Sequence, residues 1–339
     1  MKINDKMKIP FTHRQSAHCE TGVMSNLLTY HGLEISEPLV FGIGSGLFFG
    51  HFPFIRLNHL PLTAFRINTG GIMSRVAKRI NVKVEWQKYR DPQKAMEALD
   101  RKIAQEIPVG CRVGAYWLDY FPRRYRFHFN MHHVVAFGKV GDGYLISDPV
   151  FPEPVVCPRK SLIKARFAMG PMPPKGRMFY VADVPEQVNF PEAVTKGIKE
   201  VCRTMLKTPV PFIGIKGIRY VARKVETWPE KLGERKAAHY LGQLIRMQEE
   251  IGTGGAGFRY IYAAFLQECA DILGKRQLMD ISERMTEIGD RWRDFALIGS
   301  RICKNRASKT ETYPTMADIL RECAAKEEKL LRDLSEIVH

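Results

Sequence analysis

A cysteine opens a short helical pattern in residues 18–32, HCETGVMSNLLTYHG. The apolar residues recur there at helical spacing, at Val23, Met24, Leu27 and Leu28. Gly32 ends the pattern. Unpaired amide N–H groups and the positive end of the helix dipole stabilise a thiolate at such a position. The pattern therefore predicts a nucleophilic Cys19, with a small buried core cysteine as the alternative.

About a hundred residues later, the sequence predicts a β-hairpin. Residues 131–138 form a short apolar run rich in β-branched side chains, Gly141-Asp142-Gly143 supplies the turn, and the return run ends at Asp148-Pro149. Antiparallel pairing places the histidine that opens the first strand beside Asp148, where a carboxylate fixes the tautomer of an imidazole. Cys19, a histidine and Asp148 then form a candidate catalytic triad.

Two adjacent histidines compete for the role of base. Neighbouring strand residues point to opposite faces, so only one of His132 and His133 can face Cys19. The pattern His-x-Val-Val-x-x-Gly resembles the histidine strand of papain-like bacterial peptidases of the bacteriocin-processing type, which implies His132. A register slip of one residue would exchange the two, and the other histidine would be a packed strand residue.

Length and composition indicate a globular protein of two domains. The chain has 339 residues, of which 45% are hydrophobic and 26% are charged. The N-terminus carries no apolar signal region, and no uncharged apolar run approaches about eighteen residues, so we expect no signal peptide and no membrane span. The seven cysteines are scattered and lack metal-ligand spacing. We expect reduced thiols, no bound metal and a cytoplasmic location.

The charge balance indicates an acidic partner. Lysine and arginine number 52 against 36 aspartates and glutamates, which gives a net charge of +16. Local concentrations lie at residues 123–126 and 196–236, where a solvated basic face is the alternative to steering an acidic protein or an anionic substrate. No helix-turn-helix, zinc-finger, RNA-recognition or basic-zipper motif accompanies them, so we expect no nucleic-acid partner.

The element pattern predicts an α+β domain with an antiparallel sheet, followed by an all-α domain. Helices are predicted over residues 72–80 and from Pro92, with Asp91 as N-cap, to before Pro108. Prolines mark a transition after Asp183, and the pattern is helical from Thr227 onward. The predicted domains are residues 1–187 and 188–339, with the cysteine helix packed on the histidine strand. The predicted strands cover residues 82–86, 109–118, 131–137, 144–147 and 177–181.

Two glycine-rich segments are predicted to be loops. Residues 37–50 combine glycines with phenylalanines in the order G-x-G-x-G, which is not a phosphate-binding motif; they predict an apolar pocket wall, with simple core packing as the alternative. Residues 252–257 lead into Arg259 as a helix connector or a substrate contact. The candidate substrate-binding residues are Phe41, Gly44, Phe48, Gly254, Gly255 and Arg259.

These motifs together resemble a known family. The stretch from His18 to Thr21, Ser36-Glu37, residues 41–46, the His132 strand and Asp148-Pro149 look like the N-terminal domain of the butirosin-biosynthesis acyltransferase (BtrH-like) family, and the helical half resembles its C-terminal domain. The resemblance implies a papain-like cysteine acyltransferase active in natural-product or specialised-lipid biosynthesis. It takes an acyl group from the phosphopantetheine arm of an acidic acyl carrier protein and passes it to a small-molecule amine or hydroxyl.

The resemblance also implies roles for individual residues. Cys19 is the nucleophile, His132 the base and Asp148 the orienting carboxylate, and the carrier's phosphopantetheine is the donor arm rather than a bound cofactor. Papain-like enzymes usually carry an oxyanion glutamine further upstream of the nucleophile than Gln15 stands here. The backbone N–H of Cys19 is one oxyanion donor, and Gln15, His13 and His18 are candidates for the second.

Two other functions remain open at the level of sequence. A cysteine peptidase or amidohydrolase uses the same chemistry with water in place of the acceptor. A helical domain that covers the cleft and excludes water favours the transferase. The second alternative is a non-enzymatic module that binds a partner through its basic face.

Overall fold

The computed structural model describes residues 8–57, 59–123, 126–251 and 254–338. The chain folds into two compact units: the first comprises the residues up to Val40 together with Val76–Val188, and the second comprises Phe41–Arg75 together with the residues from Asn189. The predicted division into residues 1–187 and 188–339 therefore needs one correction, because Phe41–Arg75 packs with the helical residues. Within that unit the ring of Phe41 stacks on Phe258, with centroids 5.2 Å apart.

The helices and strands follow one another along the whole chain. The helices are α1 (Cys19–Tyr30), α2 (Glu37–Ile43), α3 (Gly71–Arg79), α4 (Pro92–Ala104), α5 (Arg159–Arg166), α6 (Phe190–Lys207), α7 (Gly214–Leu232), α8 (Glu234–Glu249), α9 (Arg259–Leu273), α10 (Gln277–Cys303) and α11 (Tyr313–Ile337). The strands are β1 (Leu47–Leu57), β2 (Leu60–Arg66), β3 (Lys83–Gln87), β4 (Val109–Val113), β5 (His132–Val140), β6 (Gly143–Ser147), β7 (Val155–Pro158) and β8 (Met178–Asp183).

The first unit is built on a six-stranded sheet in the order β3-β8-β4-β5-β6-β7. All neighbouring strands are antiparallel. α1 packs against β5, and a core of aliphatic side chains from α4, β4, β5 and β6 fills the unit. The antiparallel α+β unit, with a cysteine helix on a histidine strand, and the helical region that follows it confirm the predicted α+β class with a helical C-terminal part.

Local signals account for the elements that were predicted correctly. Asp91 caps α4 by accepting hydrogen bonds from the backbone N–H groups of Gln93 and Lys94 at 2.8 and 3.3 Å. Gly32 adopts φ 84°, a conformation that favours glycine, just after α1. In the β5–β6 hairpin Val140 pairs with Gly143, and Gly141 takes φ 55° in the turn.

The prediction of a loop over residues 37–50 was wrong. These residues form α2 and the start of β1, which pairs with β2 as a two-stranded antiparallel sheet in the second unit. Their glycines serve close packing: a Cβ on Gly42 would lie 2.1 Å from the ring of Phe265, and one on Gly46 would lie 2.4 Å from the ring of Phe41. A glycine needed for close approach looks, in sequence, like a glycine needed for a turn.

Other elements also depart from the predictions. The strand predicted over residues 109–118 ends at Val113, because Gly114 leads into a 3₁₀ turn over Ala115–Trp117. The helical region begins at Phe190, well before Thr227, with Pro191 in the first turn of α6. The strand β7 and the helix α5 were not predicted. Within the described residues, no helix combines the length and apolar character needed to cross a membrane.

Candidate active site

The first residue of α1 is Cys19, which follows an extended His18 (φ −129°, ψ 125°). The change from extended to helical backbone leaves the amide groups of the first turn directed toward the helix start, where Cys19 stands. The side chain of Cys19 is buried, with 4% of its surface exposed. All seven cysteines of the chain are free thiols.

His132 interacts with both other members of the predicted triad. Its Nε2 lies 2.8 Å from Oδ2 of Asp148, and the side chain of Cys19 is close enough to raise the pKa of the imidazole. Because Nε2 faces Asp148, Nδ1 is the ring nitrogen left for the sulfur. His132 opens β5 and Asp148 follows β6, as the hairpin predicted, and both side chains are buried.

The electrostatics of this cluster favour a charged imidazole. Burial lowers the pKa of His132, but the negative charges of Asp148 and Cys19 and hydrogen bonds to both raise it to about 10. An imidazolium at neutral pH stabilises a thiolate beside it and holds a proton ready for a leaving group. The arrangement is chemically suited to nucleophilic attack by sulfur.

The neighbouring histidine points elsewhere. His133 pairs with Arg112 in the β4–β5 ladder, and its ring lies 6.1 Å from that of Phe179 on the other face of the sheet. His132 is thus the histidine that meets Asp148 and Cys19.

Asp148 is fixed by donors that the sequence did not suggest. The hydroxyl of Tyr120 donates to Oδ2 at 2.9 Å, and the backbone N–H of Val150 donates to Oδ1 at 3.2 Å. Burial and the charge of Asp148 keep the pKa of Tyr120 well above its ordinary value, so the hydroxyl remains a donor. Phe121 stands edge-on to His132, with centroids 5.6 Å apart. No local sequence signal marks Tyr120, because its partner lies 28 residues further along the chain.

Glu37 organises the backbone immediately before the nucleophile. Its carboxylate accepts hydrogen bonds from the N–H groups of Ala17 and His18 at 2.9 and 2.7 Å and from the hydroxyl of Thr21 at 2.9 Å. Burial raises the pKa of Glu37 more than these hydrogen bonds lower it. The carboxylate therefore holds the turn from which Cys19 enters α1. In the sequence, Glu37 belongs to the Ser36-Glu37 motif that resembles the family, but the resemblance implied no role for it.

The three oxyanion candidates lie in different environments. Both ring nitrogens of His13 are engaged, one with the hydroxyl of Ser147 at 2.7 Å and the other with the carbonyl of Phe151 at 3.0 Å, so His13 is committed to structure. His18 is buried and its Nδ1 lies 3.0 Å from the hydroxyl of Thr21. Gln15 is exposed. The backbone N–H of Cys19 stays the first oxyanion donor to consider.

The aromatic candidates for substrate binding all lie in the second unit. Phe41 is fully buried against Phe258 and Gly46, which makes it a core residue rather than a pocket wall. Gly44 is also buried, and Phe48 is half-buried in β1. The alternative of core packing thus describes Phe41.

Arg259 serves a buried ion pair. Its Nε and Nη2 each lie 2.9 Å from a carboxylate oxygen of Glu327, Nη1 donates to the carbonyl of Gly257 at 2.7 Å, and both charged side chains are fully buried. The prediction of a substrate contact is corrected, because the donors of the guanidinium are used inside the core. In the same loop, Gly254 is exposed and Gly255 is buried with φ 88°; Gly252 and Thr253 lie outside the described residues.

Two family models match most of the chain. Residues 18–149 match the family described as Butirosin biosynthesis protein H, N-terminal, and residues 160–334, more than half of the chain, match a domain of unknown function, DUF4872. A solved structure from Bacillus anthracis described as a C39-like peptidase is similar over 52% of this chain and 96% of its own, with 16% identity and a TM-score of 0.36, too loose a likeness to transfer residues or roles. No curated protein matches.

Proposed function

Because the chain belongs to the family that joins a butirosin biosynthesis protein H N-terminal domain to a DUF4872 domain, we propose that it is a cysteine-dependent acyltransferase. In this proposal an acyl group passes from the thioester of an acyl carrier protein to Cys19 and then to an amine or hydroxyl. The observation that carries the proposal is the contact of His132 with both Cys19 and Asp148.

The first half-reaction forms an acyl-enzyme. The Cys19 thiolate attacks the carbonyl carbon of the donor thioester, and the N–H of Cys19 stabilises the resulting oxyanion. The bond from this carbon to the carrier sulfur then breaks, and the departing thiol takes its proton from the imidazolium of His132. Asp148 keeps the ring oriented throughout, and Tyr120 keeps Asp148 in place.

The second half-reaction transfers the acyl group. An acceptor amine or hydroxyl attacks the thioester on Cys19 while neutral His132 removes its proton, and the Cys19 thiolate leaves beside the regenerated imidazolium. Exchange between thioesters is nearly isoenergetic and aminolysis of a thioester is favourable. The acyl donor therefore supplies the driving force, without a metal ion or a nucleotide.

The charge of the chain fits the proposed donor. Its net charge of +16 attracts an acidic carrier protein and accelerates encounter. The steering residues expected from sequence were Arg123, Arg124 and Arg126; Arg124 lies outside the described residues. We place the reaction in the cytoplasm, in the biosynthesis of a natural product or a specialised lipid.

Intact-protein mass spectrometry tests this proposal. The protein is mixed with acyl-loaded carrier protein, and we expect an acyl adduct on Cys19 that disappears when an amine or alcohol acceptor is added. Cys19→Ala must remove the adduct, whereas Cys303→Ala, at a partly exposed cysteine of the second unit, must retain it.

Other outcomes would favour the alternatives. An adduct that hydrolyses at the same rate whether or not an acceptor is present would indicate the peptidase or amidohydrolase. Absence of any adduct, together with full cellular activity of Cys19→Ala, would indicate the non-enzymatic binding module.

A further inference from the structure

The first unit contains a basic cavity of about 500 Å³. The proposed reaction steps assign no role to this cavity. Its described lining includes the cations Arg123, Arg126, Lys160 and Lys164 and the carboxylate of Asp119. The cavity lies between the segment after β4 and the first turns of α5.

The positive charge of this cavity is not neutralised internally. The side chains of Arg123, Lys160 and Lys164 are exposed, and among the described residues none of the three forms an ion pair with a carboxylate. The carboxylate of Asp119 accepts the hydroxyl of Ser161, and the guanidinium of Arg126 donates to the backbone carbonyls of Asp119 and of Phe121. Four cations therefore face one carboxylate that already has a donor.

The other components of the lining fit a phosphate ester. α5 begins at Arg159, and no described side chain caps it, so the positive end of its dipole adds to the charge of Lys160. Trp117 supplies an apolar surface beside the cations, with Nζ of Lys164 5.2 Å from its ring centroid. Several cations around one cavity suit the three or four oxygens of a phosphate group.

The same backbone segment supports the catalytic residues. Asp119 lines the cavity, whereas the next two residues, Tyr120 and Phe121, contact Asp148 and His132. A ligand anchored in the cavity is therefore held by the residues that adjoin the catalytic pair.

We propose that this cavity binds the phosphate of the phosphopantetheine arm on the acyl donor. The inference rests on the proposed function and adds that the donor is recognised through its phosphate as well as through its thioester. The phosphate is chemically the same whether the arm is attached to a carrier protein or to coenzyme A.

The test compares two small donors that differ only in the phosphate. We expect acyl-4′-phosphopantetheine to acylate Cys19 with a kcat/KM about tenfold above that of acyl-pantetheine, the lower end of what one hydrogen bond between charged groups contributes. Lys160→Glu/Lys164→Glu should bring this ratio close to one. Lys88→Glu/Lys175→Glu, which changes a separate basic groove of the same unit, should leave the ratio unchanged.

A binding measurement separates failure of the cavity from failure of the proposed function. Calorimetry with 4′-phosphopantetheine and pantetheine needs no reaction, and only the phosphorylated compound should bind in a manner that Lys160→Glu/Lys164→Glu abolishes. If no thioester acylates Cys19, the proposed function fails and this measurement still decides the cavity. Equal binding of both compounds, or equal donor ratios in wild type and variant, would overturn the inference.

Carrier proteins with and without the arm identify the source of the phosphate. The inference requires that the variant weakens binding of the carrier that bears the arm more than binding of the bare carrier. Equal weakening would mean that the cavity contacts acidic side chains of the carrier, which contradicts the inference. Free coenzyme A that competes with the carrier's arm would indicate that both sources are accepted.

Discussion

Replacing Asp148 by asparagine should remove most of the pH dependence that His132 gives to the free energy of unfolding. In wild type the pKa of His132 is raised from 6.5 to about 10. A group whose pKa is higher in the folded than in the unfolded state stabilises the fold fully below the unfolded pKa and loses this contribution as the pH rises toward the folded pKa. In Asp148→Asn the burial of the ring, which lowers its pKa, is opposed only by Cys19.

The expected magnitude follows from the two pKa values. With about 1.4 kcal/mol for each pKa unit, the contribution of His132 in wild type is about 3 kcal/mol smaller at pH 9 than at pH 6. Cys19 remains in the variant and retains part of this effect. We therefore expect Asp148→Asn to cost about 2–3 kcal/mol more in free energy of unfolding near pH 6 than near pH 9.

Urea unfolding at several pH values, compared between wild type and variant, measures this difference. Asp142→Asn is the matched control, since it makes the same chemical change at an exposed position in the turn of the same hairpin and should show no such pH dependence. A cost for Asp148→Asn that stays constant from pH 6 to pH 9, or that grows with pH, would refute the charge assignment of His132 and with it the thiolate–imidazolium pair.

Three further substitutions test residues around the site and in the second unit. Tyr120→Phe removes the hydroxyl donor to Asp148 and should slow acylation of Cys19 about tenfold in single-turnover experiments, and an unchanged rate would show that the other donors suffice. Glu37→Gln leaves one acceptor oxygen for two backbone N–H groups; a similar slowing, with thermal unfolding measured alongside, is expected because the start of α1 shifts. Arg259→Met strands the buried carboxylate of Glu327 and should lower the free energy of unfolding by about 3–5 kcal/mol in urea titrations, whereas Arg259→Met/Glu327→Leu should restore much of it.

The parts of the site that the sequence predicts are those fixed by short-range signals. The α1 helix with Cys19 at its start and the hairpin that brings His132 to Asp148 depend on glycine turns, apolar spacing and strand alternation within about twenty residues. The residues that complete the site depend on long-range folding. Tyr120 meets Asp148 across 28 residues, and Glu37 meets Ala17 across 20, with no periodic pattern to announce either contact.

The assignment of Phe41–Arg75 to the second unit illustrates the same limit. Chain continuity places this segment with α1, but its glycines match side chains from the far half of the sequence: Gly42 lies under Phe265, and Gly197 approaches the backbone of Gly42. A glycine indicates that another group packs closely against the backbone, but it does not indicate which residue supplies that group. The sequence therefore predicts an α+β unit and a helical unit, but it does not predict that Phe41–Arg75 belongs to the second unit.

Arg259 and Glu327 show how one half of a long-range contact can be read in advance. In α11 the buried positions recur at helical spacing through Cys323, Leu330 and Leu334, and Glu327 occupies a position in this apolar series. A carboxylate at a core position requires a cation or several donors, since an isolated buried charge is too costly to persist. The sequence thus indicates that Glu327 has a buried partner. Only the fold selects Arg259, which lies 68 residues away behind a glycine loop. In the sequence, the glycine loop and Arg259 suggest a ligand site. In the fold, they bring the guanidinium of Arg259 into the core, where it pairs with Glu327.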